Sequence, residues 1–373
     1  MKTLFITHEA SQTGAPLALL AILKSLKKDN NIQFDVITIR DGELHNNFSE
    51  VADNVFVFYK TPDNSLKTRI IRRIKKALHI KDDELKFLNH RHYDLIYANT
   101  IASLWLGCAI KKRTGIPLIA HIHESEFLLS TYKAEKTMFQ MCDKIISVSS
   151  LSKDALVNNY SIPSSTISVV YPFSPFIDYQ MISDIPLRKD TKVTFKIGLS
   201  GYCCWIKGTD LLPHVIKKWS ELHLDINTQF IWVGQKTENF ELKLKYELNK
   251  LGLQQYLSLV GETKTPMELY QEFDIFLLLS REDSFPLVAL ENAYLGKPII
   301  SMEGASGIND LLKQEAGIIV PYLSIDGIVN AIYKLYTDKE LAKKIGQKAQ
   351  QLVLTQFNKG NSIEAIKKLI LNR

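Results

Sequence analysis

Short apolar segments of strand length alternate along the chain with longer segments of helical periodicity. In the first half, the apolar segments predict strands at 3–7, 34–39, 55–58, 95–97, 118–121 and 145–148. Segments between them, such as 16–26 and 101–113, have apolar residues spaced as on one face of a helix. This alternation is typical of parallel strands joined by crossover helices.

The alternation is interrupted once, between 171 and 192, where Pro172, Pro175, Pro186 and several charges predict a linker. Strands are predicted again at 193–199, 230–233, 257–260, 275–279, 298–301 and 317–320, followed by a helical tail from 324. We therefore predict four parts: a Rossmann-like domain at 1–175, a linker at 176–192, a second Rossmann-like domain at 193–355 and a C-terminal helix at 356–373. Two such domains would place the carboxyl ends of their strands around a shared cleft, where open α/β sheets bind ligands.

Composition narrows the classes of protein that the chain could belong to. Its 373 residues exceed what one core usually organises, which agrees with two domains. The net charge of +6 is too small to indicate nucleic acid, and we expect no such partner. The spacing of the four cysteines suits neither a zinc site nor a disulfide between the neighbours Cys203 and Cys204, so reduced thiols are expected. With no apolar stretch of membrane-span length, we expect a cytoplasmic protein, bound peripherally at the inner face of the membrane.

The most informative segment is a predicted strand followed by an acidic loop, a helix and a Gly-Lys-Pro exit, over 274–298. The amides of Leu287 and Val288 would begin the helix without intrahelical partners, and such amides bind phosphate. Glu291, one turn later, could accept two hydrogen bonds from a ribose diol. The pattern also fits a plain capped helix with Asp283 near its positive end, and taken alone it favours that simpler interpretation.

Three further segments place glycine or polar residues directly after predicted strands. The loop that ends in Lys207 could pair with a phosphate, or could carry an ordinary surface lysine beside a turn. Gly14 and Ala15 would let the backbone approach a ligand after the first strand. His121 and His123 could be metal ligands, but no third ligand has suitable spacing, so packing in the cleft wall is the ordinary interpretation.

In their order and spacing, these motifs resemble the retaining glycosyltransferases of family 4, which adopt the GT-B fold. Asp283 and Glu291, separated by seven residues and followed by Gly-Lys-Pro, are similar to the signature of that family. The segment Ser-Arg-Glu-Asp-Ser-Phe-Pro-Leu-Val resembles one subgroup. The resemblance extends from the Gly14 loop to the Ala-Gly-Ile-Ile-Val-Pro segment at 316–321, and so covers most of the chain.

The resemblance implies two Rossmann-like domains facing each other across a cleft, with C-terminal helices that cross back to the N-terminal domain. It implies a retaining hexosyltransferase that moves a sugar from a nucleoside diphosphate to a glycan or lipid-linked acceptor, in surface polysaccharide or glycoconjugate synthesis. The donor would lie mainly on the C-terminal domain and the acceptor mainly on the N-terminal domain.

Residue by residue, the resemblance implies that Glu291 holds the ribose, Asp283 and His123 lie near the donor sugar, and Lys207 binds the diphosphate. We accordingly predict His123, Asp283 and Lys207 as the catalytic group. The predicted donor-binding residues are Glu291, Gly14, Ala15, Gly201, Tyr202, Phe285, Pro286, Leu287 and Val288. The chain departs from the common family pattern where Asp283 replaces Glu, Tyr202 replaces Arg and Pro286 replaces Gly.

The sequence contains no Asp-x-Asp motif, which is the usual tether for a divalent ion on a sugar diphosphate. We therefore expect no metal and no cofactor, with positive charge and helix N-termini stabilising the leaving diphosphate. Two alternatives stay open, a nucleotide-sugar epimerase of the same fold and a non-catalytic nucleotide-sugar-binding protein. Release of nucleoside diphosphate only after acceptor is added would separate a transferase from both.

Residues 67–81 predict a basic amphipathic helix with Ile70, Ile71, Ile74 and Leu78 on one face. Such a helix could lie on an anionic membrane surface, or could pack its apolar face on the N-terminal sheet with the basic face in water. The two uses compete for the same isoleucines.

We predict that this segment brings the protein to acidic vesicles, because each Lys or Arg near an anionic surface contributes about 1 kcal/mol at low salt. Co-sedimentation with vesicles should fall when salt is raised. It should also fall when Arg69, Arg72, Arg73 and Lys76 are replaced by Gln. A wild-type protein that stays in the supernatant with acidic vesicles at low salt would contradict the prediction.

Overall fold

The computed structural model describes residues 1–28, 32–59, 85, 88, 91–132, 135–177, 194–223, 225–235 and 238–372. The N-terminal domain contains one seven-stranded sheet, in which every neighbouring pair of strands is parallel. Its strands are β1 Lys2–Glu9, β2 Gln33–Arg40, β3 Asn54–Tyr59, β4 Leu95–Asn99, β5 Leu118–Ile122, β6 Lys144–Ser147 and β7 Ile167–Val169. The helices are α1 Gly14–Leu26, α2 His45–Val51, α3 Ile101–Thr114, α4 Glu126–Thr131, α5 Lys136–Gln140 and α6 Ser150–Tyr160.

The C-terminal domain contains a second parallel sheet of six strands. These are β8 Phe195–Ser200, β9 Thr228–Val233, β10 Leu257–Leu259, β11 Ile275–Leu277, β12 Ile299–Met302 and β13 Ile318–Val320. The helices are α7 Leu212–Leu222, α8 Glu238–Leu251, α9 Pro266–Gln271, α10 Leu287–Tyr294, α11 Asn309–Leu312, α12 Ile325–Thr337, α13 Lys339–Thr355 and α14 Lys359–Leu371.

Each sheet is covered on both faces, because successive side chains of a strand point to opposite sides. In β1, Leu4 and Ile6 join the apolar cluster that also holds α3 residues, whereas Phe5 joins the cluster that contains α1. The second sheet is arranged in the same way, with Ile197 of β8 and Phe276 of β11 in clusters on its two faces. Burial on both faces explains why the strands are apolar almost throughout.

Strand order places the functional loops at one edge of each sheet. The first sheet has the order β3-β2-β1-β4-β5-β6-β7, so the direction of winding reverses between β1 and β4. The second has the order β10-β9-β8-β11-β12-β13 and reverses between β8 and β11. At such a reversal the loops from neighbouring strands turn to opposite faces and leave a crevice at the carboxyl edge.

The C-terminal helix crosses back to the N-terminal domain, as the resemblance implies. Ile366 and Ile370 of α14 are 2% and 0% exposed and belong to the apolar cluster of α1 and Phe5. The Ser362 hydroxyl also donates to the carbonyl oxygen of Tyr171, at 2.6 Å. The second domain is therefore connected to the first by packing at the end of the chain as well as by the covalent connection.

The prediction of two Rossmann-like domains is confirmed, and each predicted strand has a counterpart. β7 was not predicted. The predicted helical tail is interrupted near Asp338 and again at 356–358. Most of the predicted linker and the whole of 67–81 lie outside the described residues, so the domain boundaries stay predictions. Among the helices that the structure describes, none combines the length and apolar character needed to cross a membrane.

Candidate active site

On the N-terminal side of the cleft, a chain of hydrogen bonds joins the start of α1, the end of β4 and the segment after β5. Asn99, the last residue of β4, donates from its side-chain nitrogen to the carbonyl oxygen of Ala15, at 3.0 Å. The Asn99 side-chain oxygen lies 3.0 Å from Nε2 of His123, which follows β5. Two predicted site residues, Ala15 and His123, are thus held together by Asn99, which the sequence analysis did not single out.

His123 is neutral near pH 7, because burial lowers its pKa to about 4 and the nearby charge of His8 acts in the same direction. Since Asn99 uses its nitrogen as donor to Ala15, its oxygen is the atom that faces His123. Nε2 of His123 therefore carries the proton and donates it to Asn99. The other ring nitrogen, Nδ1, has a free lone pair and can accept a hydrogen bond from a hydroxyl group.

His121 and Glu124 contact His123 and help to hold it in place. The rings of His121 and His123 lie 4.0 Å apart, and the Tyr97 hydroxyl is 2.7 Å from Nδ1 of His121. The Glu124 carboxylate accepts from the amides of Ile101 and His123 at 3.0–3.2 Å, and so caps α3. Burial raises the pKa of Glu124 to about 7.

Gly14 is the first residue of α1, which has no side-chain hydrogen bond at its N-cap. A Cβ added to Gly14 would meet nothing within 4 Å, so packing does not demand glycine there. The open space at this helix start leaves room for a ligand beside the backbone.

On the C-terminal side, Lys207 and Asp283 form an ion pair between the loop after β8 and the loop after β11. Their side chains are 28% and 11% exposed, so the pair remains accessible at the cleft. Gly201 has φ +137°, a backbone conformation that residues other than glycine rarely adopt. It lies beside the aliphatic part of Lys207. The structure thus brings together three of the predicted residues.

Tyr202, which stands where the family pattern has Arg, is 47% exposed. The nearby Arg281 does not replace that cation. Its guanidinium forms two hydrogen bonds with the Asp210 carboxylate, at 2.7 and 2.8 Å, and a third with the carbonyl oxygen of Trp205. Arg281 therefore stabilises the 201–210 loop, and Lys207 remains the loop cation that faces the cleft.

Helix α10 begins after Pro286, as predicted, with no side-chain cap. Among the described residues, the amides of Leu287 and Val288 have no hydrogen-bond acceptor, whereas the Ala289 amide donates to the carbonyl oxygen of Pro286. The Phe285 side chain points away from the cleft and packs against Tyr171 and Phe357, so only its backbone remains available to a ligand.

Glu291, one turn into α10, is 3% exposed and accepts a hydrogen bond of 2.6 Å from the Ser174 hydroxyl. Burial raises the pKa of Glu291 to about 7, although the Ser174 hydrogen bond favours the ionised form. A carboxyl group with this pKa changes charge near neutral pH. Ser174 comes from the segment that leaves the first domain, and no pattern in the sequence indicates it.

Several hydrogen bonds join the two sides of the cleft. Glu282 binds Ser125 and Phe127 of the N-terminal domain, Ser284 binds the backbone of His123, and Asp310 accepts from the amide of Ser150. In the sequence, Glu282 stands out only as part of the segment Ser-Arg-Glu-Asp-Ser-Phe-Pro-Leu-Val. In the described part of the chain, no group of three or more His, Cys, Asp or Glu residues is placed to hold a metal ion.

Two family models match consecutive parts of the chain. The model "Glycosyltransferase Family 4" matches residues 14–173, and "Glycosyl transferases group 1" matches residues 197–352. The two matches include all the predicted site residues and fall on the two domains of the fold.

Individual relatives agree with the family models along most of their length. The chain is 22% identical to an Escherichia coli UDP-Gal:α-D-GlcNAc-diphosphoundecaprenol α-1,3-galactosyltransferase, over 92% of this chain and 90% of the relative. It is 20% identical to the amylovoran biosynthesis glycosyltransferase AmsD of Erwinia amylovora, with 94% of both chains covered.

Solved structures of glycosyltransferases share the fold. The Anabaena protein HepE in complex with UDP and glucose covers the whole of both chains with a TM-score of 0.74 at 21% identity. The apo lipopolysaccharide outer core galactosyltransferase WaaB has a TM-score of 0.76 at 16% identity, over 100% of this chain and 99% of that one. With both domains matched in sequence and in fold, the chain belongs to the family 4 glycosyltransferases of GT-B architecture.

Proposed function

We propose that the protein is a retaining, metal-independent hexosyltransferase that uses a nucleoside diphosphate sugar as donor. The observation that carries the proposal is the accessible Lys207–Asp283 ion pair at the carboxyl edge of the second sheet. Across the cleft, the neutral His123 follows the carboxyl end of β5. In the proposed site, Lys207 would be the cation for the diphosphate, Asp283 the carboxylate for sugar hydroxyls and His123 a neutral acceptor of hydrogen bonds.

The groups of the C-terminal domain suit a nucleoside diphosphate. Lys207 supplies positive charge, and the amides of Leu287 and Val288 supply donors at a helix N-terminus, where phosphate oxygens bind well. Glu291 would accept hydrogen bonds from the ribose diol after exchanging its present bond with Ser174. The HepE structures contain UDP and UDP-glucose, so uridine donors are the first to test.

In the proposed reaction, the acceptor hydroxyl oxygen attacks the anomeric carbon from the face that the diphosphate leaves. The bond between the anomeric carbon and the phosphate oxygen breaks, and its electron pair stays on that oxygen. The same phosphate oxygen takes the proton of the acceptor hydroxyl, so no side-chain base is needed. His123 and Asp283 would hold hydroxyls of the donor sugar, and Lys207 would stabilise the charge that develops on the diphosphate.

A glycan or a lipid-linked saccharide is the proposed acceptor, lying on the N-terminal domain near Gly14. Support comes from the relatives, because the E. coli enzyme is named for a sugar carried on diphosphoundecaprenol and AmsD for amylovoran biosynthesis. The open space around Gly14 leaves room for an acceptor at the start of α1. We propose a cytoplasmic protein that reaches such acceptors at the inner face of the membrane.

The deciding experiment measures release of UDP from UDP-glucose and UDP-galactose, with and without an N-acetylglucosamine linked to a short polyprenyl diphosphate. We expect release only with acceptor, at an unchanged rate in EDTA, and an α linkage in the product by NMR. Epimerised sugar formed without acceptor would indicate an epimerase instead. A β linkage, or activity that EDTA abolishes and Mg²⁺ or Mn²⁺ restores, would overturn the corresponding part of the proposal.

Lys207→Met should lower kcat/KM by about 100-fold, because it keeps the aliphatic stem beside Gly201 and removes the charge that offsets the leaving diphosphate. Lys217→Met is the matched control. That lysine lies on α7, pairs with Glu221 on the surface, and should tolerate the change. A Lys207→Met enzyme with wild-type turnover would assign the phosphate role to another group.

The affinity of the wild-type protein for UDP should rise as pH increases from 6 to 8. The pKa of Glu291 is about 7, and only its ionised form accepts hydrogen bonds from both ribose hydroxyls without offering a proton. Glu291→Gln should weaken binding by about tenfold at pH 8 and by less at pH 6, since a charge-assisted bond contributes about 1.5–3 kcal/mol. Both proteins are measured by calorimetric titration at each pH. The protonation of UDP affects both affinities equally, so it cancels in their ratio. A ratio of affinities that does not depend on pH would contradict the role of Glu291.

A further inference from the structure

Four consecutive residues after β11 send their side chains alternately to the two domains. Arg281 and Asp283 bind partners in the 201–210 loop of their own domain, namely Asp210 and Lys207. Glu282 and Ser284 bind partners in the N-terminal domain. This is the alternation of an extended segment, and Asp283 accordingly forms an isolated parallel bridge with Ser306.

Glu282 completes the N-terminus of α4, a helix of the other domain. Both of its carboxylate oxygens accept from the Phe127 amide, at 3.0 and 2.9 Å, and one also accepts from the Ser125 hydroxyl at 2.9 Å. Ser125 occupies the N-cap position of α4, but its side chain makes no capping bond of its own. The group that caps this helix therefore comes from the C-terminal domain, with a negative charge suited to a helix N-terminus.

Ser284 holds the same segment two residues upstream of the cap. Its hydroxyl donates to the carbonyl oxygen of His123 at 2.5 Å. The Phe127 ring also contacts Trp205, with ring centroids 5.9 Å apart, and Trp205 lies under the Arg281 guanidinium. The short segment 123–127 is thus attached to the C-terminal domain at its start and at its end.

We propose that Glu282 is a positioning residue, which holds the His123-bearing segment against the second domain so that His123 and Asp283 border the same donor sugar. The proposal rests on the proposed function for the donor sugar, but the contact itself does not. Glu282 uses both carboxylate oxygens for α4 and Ser125, so it acts through His123 rather than on a substrate. Its neighbour Asp283 forms an ion pair with Lys207. The loop after β11 therefore positions residues on both sides of the cleft.

The contact is tested by amide hydrogen exchange in the peptide that covers residues 124–132. This measurement does not depend on catalytic activity. In Glu282→Ala, exchange in this peptide should be faster by about tenfold or more, because the Phe127 amide loses its acceptor and α4 its cap. Glu282→Gln keeps one acceptor oxygen and should give an intermediate rate. Glu247→Ala is the matched control, because Glu247 is an exposed carboxylate on the outer helix α8.

The positioning role is tested by comparing the effect of the substitution on kcat with its effect on KM for the donor. Glu282→Ala should lower kcat by about tenfold or more while KM for the donor stays within about threefold, because the donor lies mainly on the C-terminal domain. Glu282→Gln should recover part of kcat. Unchanged exchange in Glu282→Ala would overturn the contact, and faster exchange with unchanged kcat would overturn the positioning role. A wild-type protein without transferase activity would instead contradict the proposed function, while the exchange result would still decide whether Glu282 holds the segment.

Discussion

Parallel pairing in both sheets is the constraint on which the site depends. A parallel strand must be followed by a crossover before the next strand begins, so every loop that follows a strand lies at the same carboxyl edge. In the first sheet this edge brings together the ends of β1, β4 and β5, and in the second the ends of β8 and β11. Residues more than 150 positions apart, such as His123 and Ser284, can therefore meet because the two edges face each other.

The electrostatics of the cleft follow from how each charged group is compensated. Lys207 and Asp283 neutralise each other while remaining accessible, so a negatively charged ligand can replace Asp283 as the partner of Lys207. His123 avoids charge altogether, because burial lowers its pKa to about 4. Glu291 and Glu124 are buried carboxyl groups with pKa near 7, and both are stabilised by hydrogen bonds rather than by a cation. Of these groups, the Lys207–Asp283 pair and His123 carry no net charge near pH 7.

Much of the fold was predictable, because strands that are buried on both faces are apolar throughout and stand out between amphipathic helices. The grouping of Gly201, Lys207 and Asp283 was predictable, because glycine, lysine and carboxylate residues follow strands there in a recognisable order, and their roles stay predictions. Asn99, Ser174 and Glu282 were not predicted as site residues. Each acts through a partner distant in sequence, and a single polar residue carries no local pattern that reveals such a partner. The 67–81 segment shows the opposite case, a strong pattern that fits two different environments.

The return of α14 to the first domain changes how the two halves are connected. The polypeptide passes between the domains twice, once near Tyr171 and Ile177, which already pack with residues of the second domain, and again near Phe357, where that ring packs against Tyr171 and Phe285. The two crossings lie side by side, because the ring centroids of Tyr171 and Phe357 are 4.5 Å apart, so the domains are connected at one place rather than at two separate places. Because Ile366 and Ile370 pack into the apolar core of the first domain, that domain produced alone would have an open apolar groove beside α1. The first domain is therefore not a separable module, because α14, which follows the second domain in the sequence, completes its core.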